Sequence, residues 1–430
     1  MKGRLAAVIL LMLAAGLARA SAPPWPTPLT LEFVLQHLDQ THPDLRLAEA
    51  VQQRAGAALL RAESTYGLRS SLLGRLRWVE PPPTTFDPSH QDHRVAIRLR
   101  KRLYDFGRTA GQTAAAEAEQ QAGEAAYHDA LNRYRIAVMA AYFDVILADL
   151  EQARDNEAMS IGFVTYDRGK ARNELGQVSD IELLRLESEY QLTRARQHAS
   201  SARQRTARQQ LANLLNRPDD LPAELTPPDL PDVTRAIPEV EAWFTRAETA
   251  SPALQAGQAA LEAARQRLDA AKASARPLLD GRAEAARYSR EGGSNDLWRF
   301  GLYLEVPLLT GGETHAQVAA ARAEVLAAEA ALEGRRRSVR QAVLDLWSAL
   351  QSLRARRQEL AVLADYRDLY LDNSRALYEL EVKSDLGDAM VQTTDVSLQR
   401  ARTDYEIALT WARIRALLGE NPIAIEEARP

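Results

Sequence analysis

The chain has 430 residues, with 58 acidic and 54 basic side chains and a net charge of −4. It has no cysteine, which excludes disulfides, thiolate metal sites and a cysteine nucleophile. A charge balance this even leaves no basic footprint for nucleic acid.

Read from the N-terminus, Lys2 and Arg4 precede an apolar run from Leu5 to Leu17 and then Ala18-Arg19-Ala20. That order predicts a cleaved signal peptide over residues 1–20. Its removal takes Lys2, Arg4 and Arg19 and leaves the remainder at −7. No later stretch is apolar for the ~18 residues a spanning helix needs. The best, Ala137 to Leu150, is broken by Asp144.

The rest reads as one pattern written twice, over residues 21–217 and 239–420, around a linker at 218–238 and before a tail at 421–430. Pro218, Pro222, Pro227, Pro228, Pro231 and Pro238 mark the linker, because proline removes backbone donors and favours extended chain. Each half opens with a helix interrupted by proline, Leu31–Gln40 before Pro43 and Val240–Thr249 before Pro252. Proline is tolerated at a first helical position, and Ser251 is placed to cap the second of these helices. Alanine-rich helix follows, to about Tyr66 and to about Ala275.

The period then changes from helix to strand. Over Leu68–Val79, Leu68, Leu72, Leu76 and Trp78 oppose Arg69, Ser71, Arg75 and Arg77. Over His93–Tyr104, Val95, Ile97, Leu99 and Leu103 oppose Arg94, Arg98, Arg100 and Arg102. In the second half Trp298, Phe300, Leu302, Leu304 and Val306 oppose Arg299, Gly301, Tyr303 and Glu305. Such alternation predicts strands with one oily and one wet face. Leu279–Tyr288 completes a set of four but alternates poorly.

Tyr104-Asp105-Phe106-Gly107-Arg108 and Pro307-Leu308-Leu309-Thr310-Gly311-Gly312 each turn into a very long helical stretch. The second keeps a seven-residue repeat through Val318, Val325, Leu332, Val339, Leu346, Leu353 and Leu360, the mark of coiled-coil packing. The first has Ile136, Phe143 and Leu150, with Leu131, Val138 and Val145, at the same spacing. From Thr109 to Arg172 such a helix would run roughly 95 Å. Polar tips at Asn173–Asp180 and Tyr378–Asp385 turn each rod back, and Leu214-Leu215-Asn216 and Leu417-Leu418-Gly419 close the two returns.

The predicted class is therefore mainly α, with four β-strands per chain. Four strands are too few to close a barrel with an oily outside and a wet inside, so they must share one with other copies. Three copies would give twelve strands. The helical rods carry charge along their length and must project into water.

These features in this order, repeated, resemble the TolC family of outer-membrane efflux and secretion channels. The resemblance rests on the strand–glycine–helix junctions at Phe106-Gly107 and Gly311-Gly312, the Ser-Asp tips, and the closing Leu417–Gly419. It implies a homotrimer with a shared twelve-stranded barrel in the outer membrane of a Gram-negative bacterium and a helical tunnel in the periplasm. Its partners would be outer-membrane lipid, a periplasmic adaptor (membrane fusion) protein and an inner-membrane pump or ABC transporter. Some relatives carry a lipid on an N-terminal cysteine, which this sequence does not provide. No cofactor is implied.

The resemblance assigns Asp385 and Asp388 to a periplasmic gate, where three-fold symmetry would make rings of like charge that repel one another and attract cations. The competing assignment makes Ser384 and Asp385 a helix cap and Asp388 a first-turn charge. Gly176, Ser179, Asp180, Glu381 and Ser384 are the expected adaptor-docking tips. Glu381 stands where the first tip has Gly176, a departure from the family's glycine. Arg69, Arg75, Arg77, Arg94, Arg98, Arg100 and Arg102 would line the lumen. Trp78 and Trp298 are candidates for an interfacial girdle. His90 and His93, near Asp87 and Asp92, read as a polar loop rather than a metal site. No Gly-x-Ser-x-Gly, P-loop, His-Glu-x-x-His or Gly-x-Gly-x-x-Gly pattern is present, so nothing points to an enzyme. The alternative architecture is a periplasmic helical adaptor or scaffold that never enters a membrane.

Overall fold

A computed structural model of the chain describes residues 25–220, 224–291, 295–380 and 385–423. The expected signal peptide, Pro222, Glu381, Ser384 and most of the tail lie outside these residues. The two halves have the same element order. The first comprises α1 (Leu31–Gln36), α2 (Pro43–Glu63), β1 (Arg69–Arg75), β2 (Arg94–Tyr104), α3 (Arg108–Glu174) and α4 (Asp180–Leu214). The second comprises α5 (Val240–Ala250), α6 (Pro252–Lys272), β3 (Leu278–Tyr288), β4 (Trp298–Glu305), α7 (Glu313–Glu379) and α8 (Leu386–Leu417).

Several boundaries differ from the sequence expectation. Helix α1 stops at Gln36, four residues early, where the His37 imidazole and amide both turn back to the Phe33 carbonyl. Strand β1 is seven residues long rather than twelve, and beyond it only Trp78 bridges to Gln91. Ser251 precedes α6 but does not cap it through its side chain. Its carbonyl instead accepts from Leu254 and Gln255. At the matching place in the first half, His42 accepts from the Asp44 amide.

Helices α3 and α7 are each 67 residues long, about 100 Å at the α-helical rise. Each is launched by two consecutive residues of positive φ, Phe106 (54°) and Gly107 (96°) in one half, Gly311 (59°) and Gly312 (91°) in the other. Glycine takes this left-handed turn freely, whereas Phe106 holds it against its own Cβ. Below the turn, Asp105 is fully buried and receives the Thr109 amide (3.0 Å), the Thr109 hydroxyl and the Tyr66 hydroxyl (2.7 Å). These bonds tie the end of β2 to the first turn of α3 and to the end of α2.

All seven heptad positions of α7 are buried or half-buried, with Leu332, Val339 and Leu360 fully so. The apolar run Ala137–Leu150 is the core of α3. Val138, Tyr142, Phe143 and Val145 are buried there against α1, α4 and α8. No described helix is long and apolar enough to cross a membrane. The proline-rich linker is packed rather than loose. Leu29 pairs with its backbone at Glu224 and Thr226, and the Tyr142 hydroxyl donates to the Leu29 and Thr226 carbonyls (2.8 and 2.7 Å).

The helices form one layer. Nearer the sheet its order is α2–α3–α6–α7, and nearer the tips it is α4–α3–α8–α7. One edge is therefore α2 and α4, the other α7. The sheet is antiparallel in the order β1-β2-β3-β4. Its edges fall on the same two sides, because β1 follows α2 and β4 leads into α7.

Candidate functional site

Residues directly opposite one another in the ladder share a face of the sheet. The register therefore sorts every strand residue onto one of two faces. One face carries Arg69, Ser71 and Arg75 of β1 opposite Arg100, Arg98 and Arg94 of β2. These continue onto Arg282, Glu284 and Tyr288 of β3, with Arg102 opposite Asp280. Asp280, Arg282 and Glu284 then meet Tyr303, Gly301 and Arg299 of β4. Six of the seven arginines expected in the lumen lie on this face. Arg77 lies past the end of β1, with its guanidinium on Asp92 (Nε to Oδ2 2.7 Å).

The sequence reading missed the acids that meet these arginines. Glu284 accepts from Arg94, Arg98 (3.1 Å) and Arg299 (2.8 Å), and Asp280 accepts from Arg102 (2.9 Å). Alanines on β3 hid the alternation. Counting by twos through Leu279–Tyr288 would have found the charged residues Asp280, Arg282 and Glu284 in line.

The opposite face is Leu72 on β1, Val95, Ile97, Leu99 and Leu103 on β2, Leu279, Ala283 and Ala285 on β3, and Trp298, Phe300, Leu302 and Leu304 on β4. It is left open in the single chain. Phe300 is 79% exposed, Leu302 71% and Trp298 69%. A water-facing sheet shows the reverse, with its oily side covered. The charged exceptions are Lys101, opposite Gly281 within the sheet, and Arg287, beside the end of β3, whose long side chains can carry the charge toward polar surroundings. Trp78 and Trp298 both lie at the loop end of the sheet. Trp78 stacks on His90 (5.4 Å) and Trp298 on Phe300 (6.1 Å). His90 also contacts the Val79 carbonyl (3.1 Å), Asp87 accepts from the Ser89 and Glu291 amides, and Asp92 is taken by Arg77, so each has a place in the loop's own structure.

At the far end of the helices, α3 stops in a tight reversal. Gly176 (φ 72°) and Gln177 return their amides to Asn173 and Arg172 (2.8 Å each). Ser179 then caps α4 by accepting from the Glu182 amide (3.2 Å). Asn173 donates to the Val178 carbonyl (2.9 Å) and to Asp180 (3.0 Å), which ties the two helix ends together. Leu175, Ile181 and Leu184 are left exposed around this turn.

At the second tip, Asp385 precedes α8 without capping it through its side chain. Its carboxylate accepts from the Tyr370 hydroxyl of α7 (2.8 Å). Asp388, one turn on, is exposed. The two carboxylates thus differ: one is held between helices and the other is free to face solvent. About two turns above, Arg154 of α3 binds Asp155 and, across to α8, Asp395 (2.7 Å). Gln399 donates to the same Asp395 (2.6 Å), beside a cleft of about 490 Å³. Nothing in the local sequence around Arg154 announces this tie, because its partner is 241 positions away.

Residues 243–420 match the family model described as outer membrane efflux protein. The chain carries an outer membrane efflux protein domain. The matched span runs from within α5 through α8, and the first half repeats the same elements in the same order. Protein CyaE of Bordetella pertussis is 27% identical over 266 residues, covering 61% of this chain and 56% of that protein. Outer membrane efflux protein BepC of Brucella suis is 26% identical over 268 residues, covering 61% and 57%. The chain thus spans somewhat over half the length of these relatives. The solved structure of CusC, a transmembrane channel, superposes with a TM-score of 0.74 over 91% of this chain and 92% of its own, at 18% identity. That likeness shows the fold, a layer of long helices joined to a four-stranded antiparallel sheet. The matched domain is that of outer membrane efflux proteins, which places the chain at the outer membrane.

Proposed function

We propose that three copies of this chain form a passive exit duct across the periplasm and the outer membrane, as the channel of a tripartite efflux or type I secretion system. The observation that carries this reading is the open sheet. Its oily face is bare, its charged face is organised by ion pairs, and β1 and β4 both leave an edge unpaired. Free edges and a bare apolar face are costly in water and are satisfied together by closure in lipid. Twelve strands from three copies are a workable pore. The helix layer is open on the same two sides, with Leu47 and Leu60 of α2 and Leu326, Val362 and Leu369 of α7 exposed. One rotation about a common axis would close sheet and helix layer at once.

In this assembly Asp388, with Asp385 behind it, forms the cation-attracting ring of the periplasmic gate. The tips at Gly176, Ser179, Asp180, Glu381 and Ser384 meet a periplasmic adaptor, and Leu175, Ile181 and Leu184 supply apolar contact at the first tip. The adaptor connects the duct to an inner-membrane pump or ABC transporter. The likeness to outer membrane efflux protein BepC supports the barrel's location.

The test is fractionation followed by reconstitution. The protein is expected in the detergent-extracted outer-membrane fraction and to give discrete conductance steps in planar bilayers. Recovery in the periplasmic fraction with no conductance would replace the duct by a helical adaptor or scaffold.

A further inference from the structure

Two cross-strand rows of the charged face set arginine opposite arginine with no acid between them: in one, Arg75 and Arg94 reach the acids Asp92 and Glu284 outside their row, and in the other Arg69 and Arg100 have no such acid at hand among the described residues. Arg69 is opposite Arg100, Arg100 is opposite Arg282, and Arg282 is opposite Gly301, which has no side chain. Like charges directly opposite one another in a ladder repel. The neighbouring rows avoid this, one by placing Glu284 between Arg98 and Arg299, the other by placing Asp280 beside Arg102. Among the described residues, no carboxylate lies within ion-pair distance of Arg69 or Arg100. Arg282 reaches Asp280 at 3.6 Å and lies over the Tyr303 ring at 4.3 Å. The paired strands of this face hold eight arginines against the three carboxylates of Asp280, Glu284 and Glu305.

The row cannot face lipid, where an arginine near mid-depth costs about 2–4 kcal/mol. The bare apolar face takes that side, so in a closed barrel the row looks inward. Arg100 and Arg282 are central in their strands, away from both rims. A narrow, low-dielectric passage focuses an uncompensated field of this kind. Guanidinium groups also match the oxygen pairs of phosphate and carboxylate. Resting on the duct reading above, we propose that the Arg69–Arg100–Arg282 row makes the barrel lumen anion-selective. The cargo class it favours is solutes bearing several phosphate or carboxylate groups.

The experiment is a bilayer recording of the purified full chain across a potassium chloride gradient, followed by inorganic tripolyphosphate added to each chamber in turn. The Asp388→Asn variant is recorded alongside to remove the charge of the tip. Expected are a chloride-to-potassium permeability ratio above one and block by tripolyphosphate from the barrel side. In Arg69→Gln with Arg100→Gln, the permeability ratio should fall about threefold to tenfold and block should be lost. These two arginines hold no carboxylate, so Glu284 and Asp280 keep their partners, and an unchanged particle mass shows that the variant assembles. Cation-selective channels indifferent to tripolyphosphate in both the parent and Asp388→Asn would overturn the inference while leaving the duct standing. So would block that persists in the double arginine variant. Absence of any channel would remove the duct reading and this inference with it.

Discussion

At the scale of single residues, a few side chains have surroundings that fix their roles. Asp105 is the clearest. Burial raises the cost of its charge, but the Thr109 and Tyr66 hydrogen bonds outweigh that, so its carboxyl sits below the usual range. The same contact works in reverse on Tyr66, whose hydroxyl is pushed up to about 12 by burial and by the neighbouring carboxylate. A carboxyl depressed in the folded state adds stability above its unfolded value, and this is lost as pH falls through the folded value. Thermal stability should therefore drop as pH is lowered below about 4, and Asp105→Ala should flatten that drop while costing about 2–4 kcal/mol at neutral pH. Circular dichroism melts at several pH values read both effects. Gly419 offers a second case. It has φ 75°, and a Cβ there would press into the Ala250 carbonyl oxygen, so Gly419→Ala should destabilise by about 1–3 kcal/mol in the same assay. For the gate, Asp388→Asn, with or without Asp385→Asn, should weaken block by multivalent cations applied at the tip side. Undiminished block would return Asp388 to an ordinary first-turn charge. Asp388 was legible in the sequence as a carboxylate one turn from Asp385. The Tyr370 contact that separates their roles was not, since it joins different helices.

At the scale of elements, legibility followed the strength of the period. Helix α7 announced itself through seven apolar positions in register, and every one of them is shielded. Leu360 lies at the end of that series with no exposed surface, so Leu360→Ala should cost about 2–5 kcal/mol and loosen the tip half of the α7–α8 pair. Faster amide exchange in residues 355–380 than in 320–345 would show it, and uniform exchange would contradict it. Strand β3 was nearly hidden, because Ala283, Ala285 and Ala286 carry little contrast between faces. Yet β3 is paired on both sides over most of its length, and it supplies the acids that organise the charged face. In β1 the alternation continues to Trp78, but regular pairing stops at Arg75. A sequence pattern reports which face a residue prefers, not whether a partner strand is there to meet it. The linker shows the same limit of a local pattern. Its prolines show that it is extended, while its docking depends on Tyr142, far away in the chain.

At the scale of the whole molecule, the twofold repetition is the feature the sequence displayed most plainly, and its physical consequence is an open layer. The two halves lie side by side, sheet beside sheet and rod beside rod, and leave matching edges on both flanks. In the proposed duct such a chain is completed by other copies. Its bare apolar strand face calls for lipid, and its free edges call for other copies. The expectation of three copies came from the family resemblance and not from the strand pattern, because closure depends on strand tilt and stagger between chains. The mass of the detergent-solubilised particle, measured by light scattering with the detergent contribution subtracted, tests this most directly. A detergent-requiring particle of three chains is the predicted result. A monomer that stays soluble without detergent would contradict the shared barrel and everything built on it.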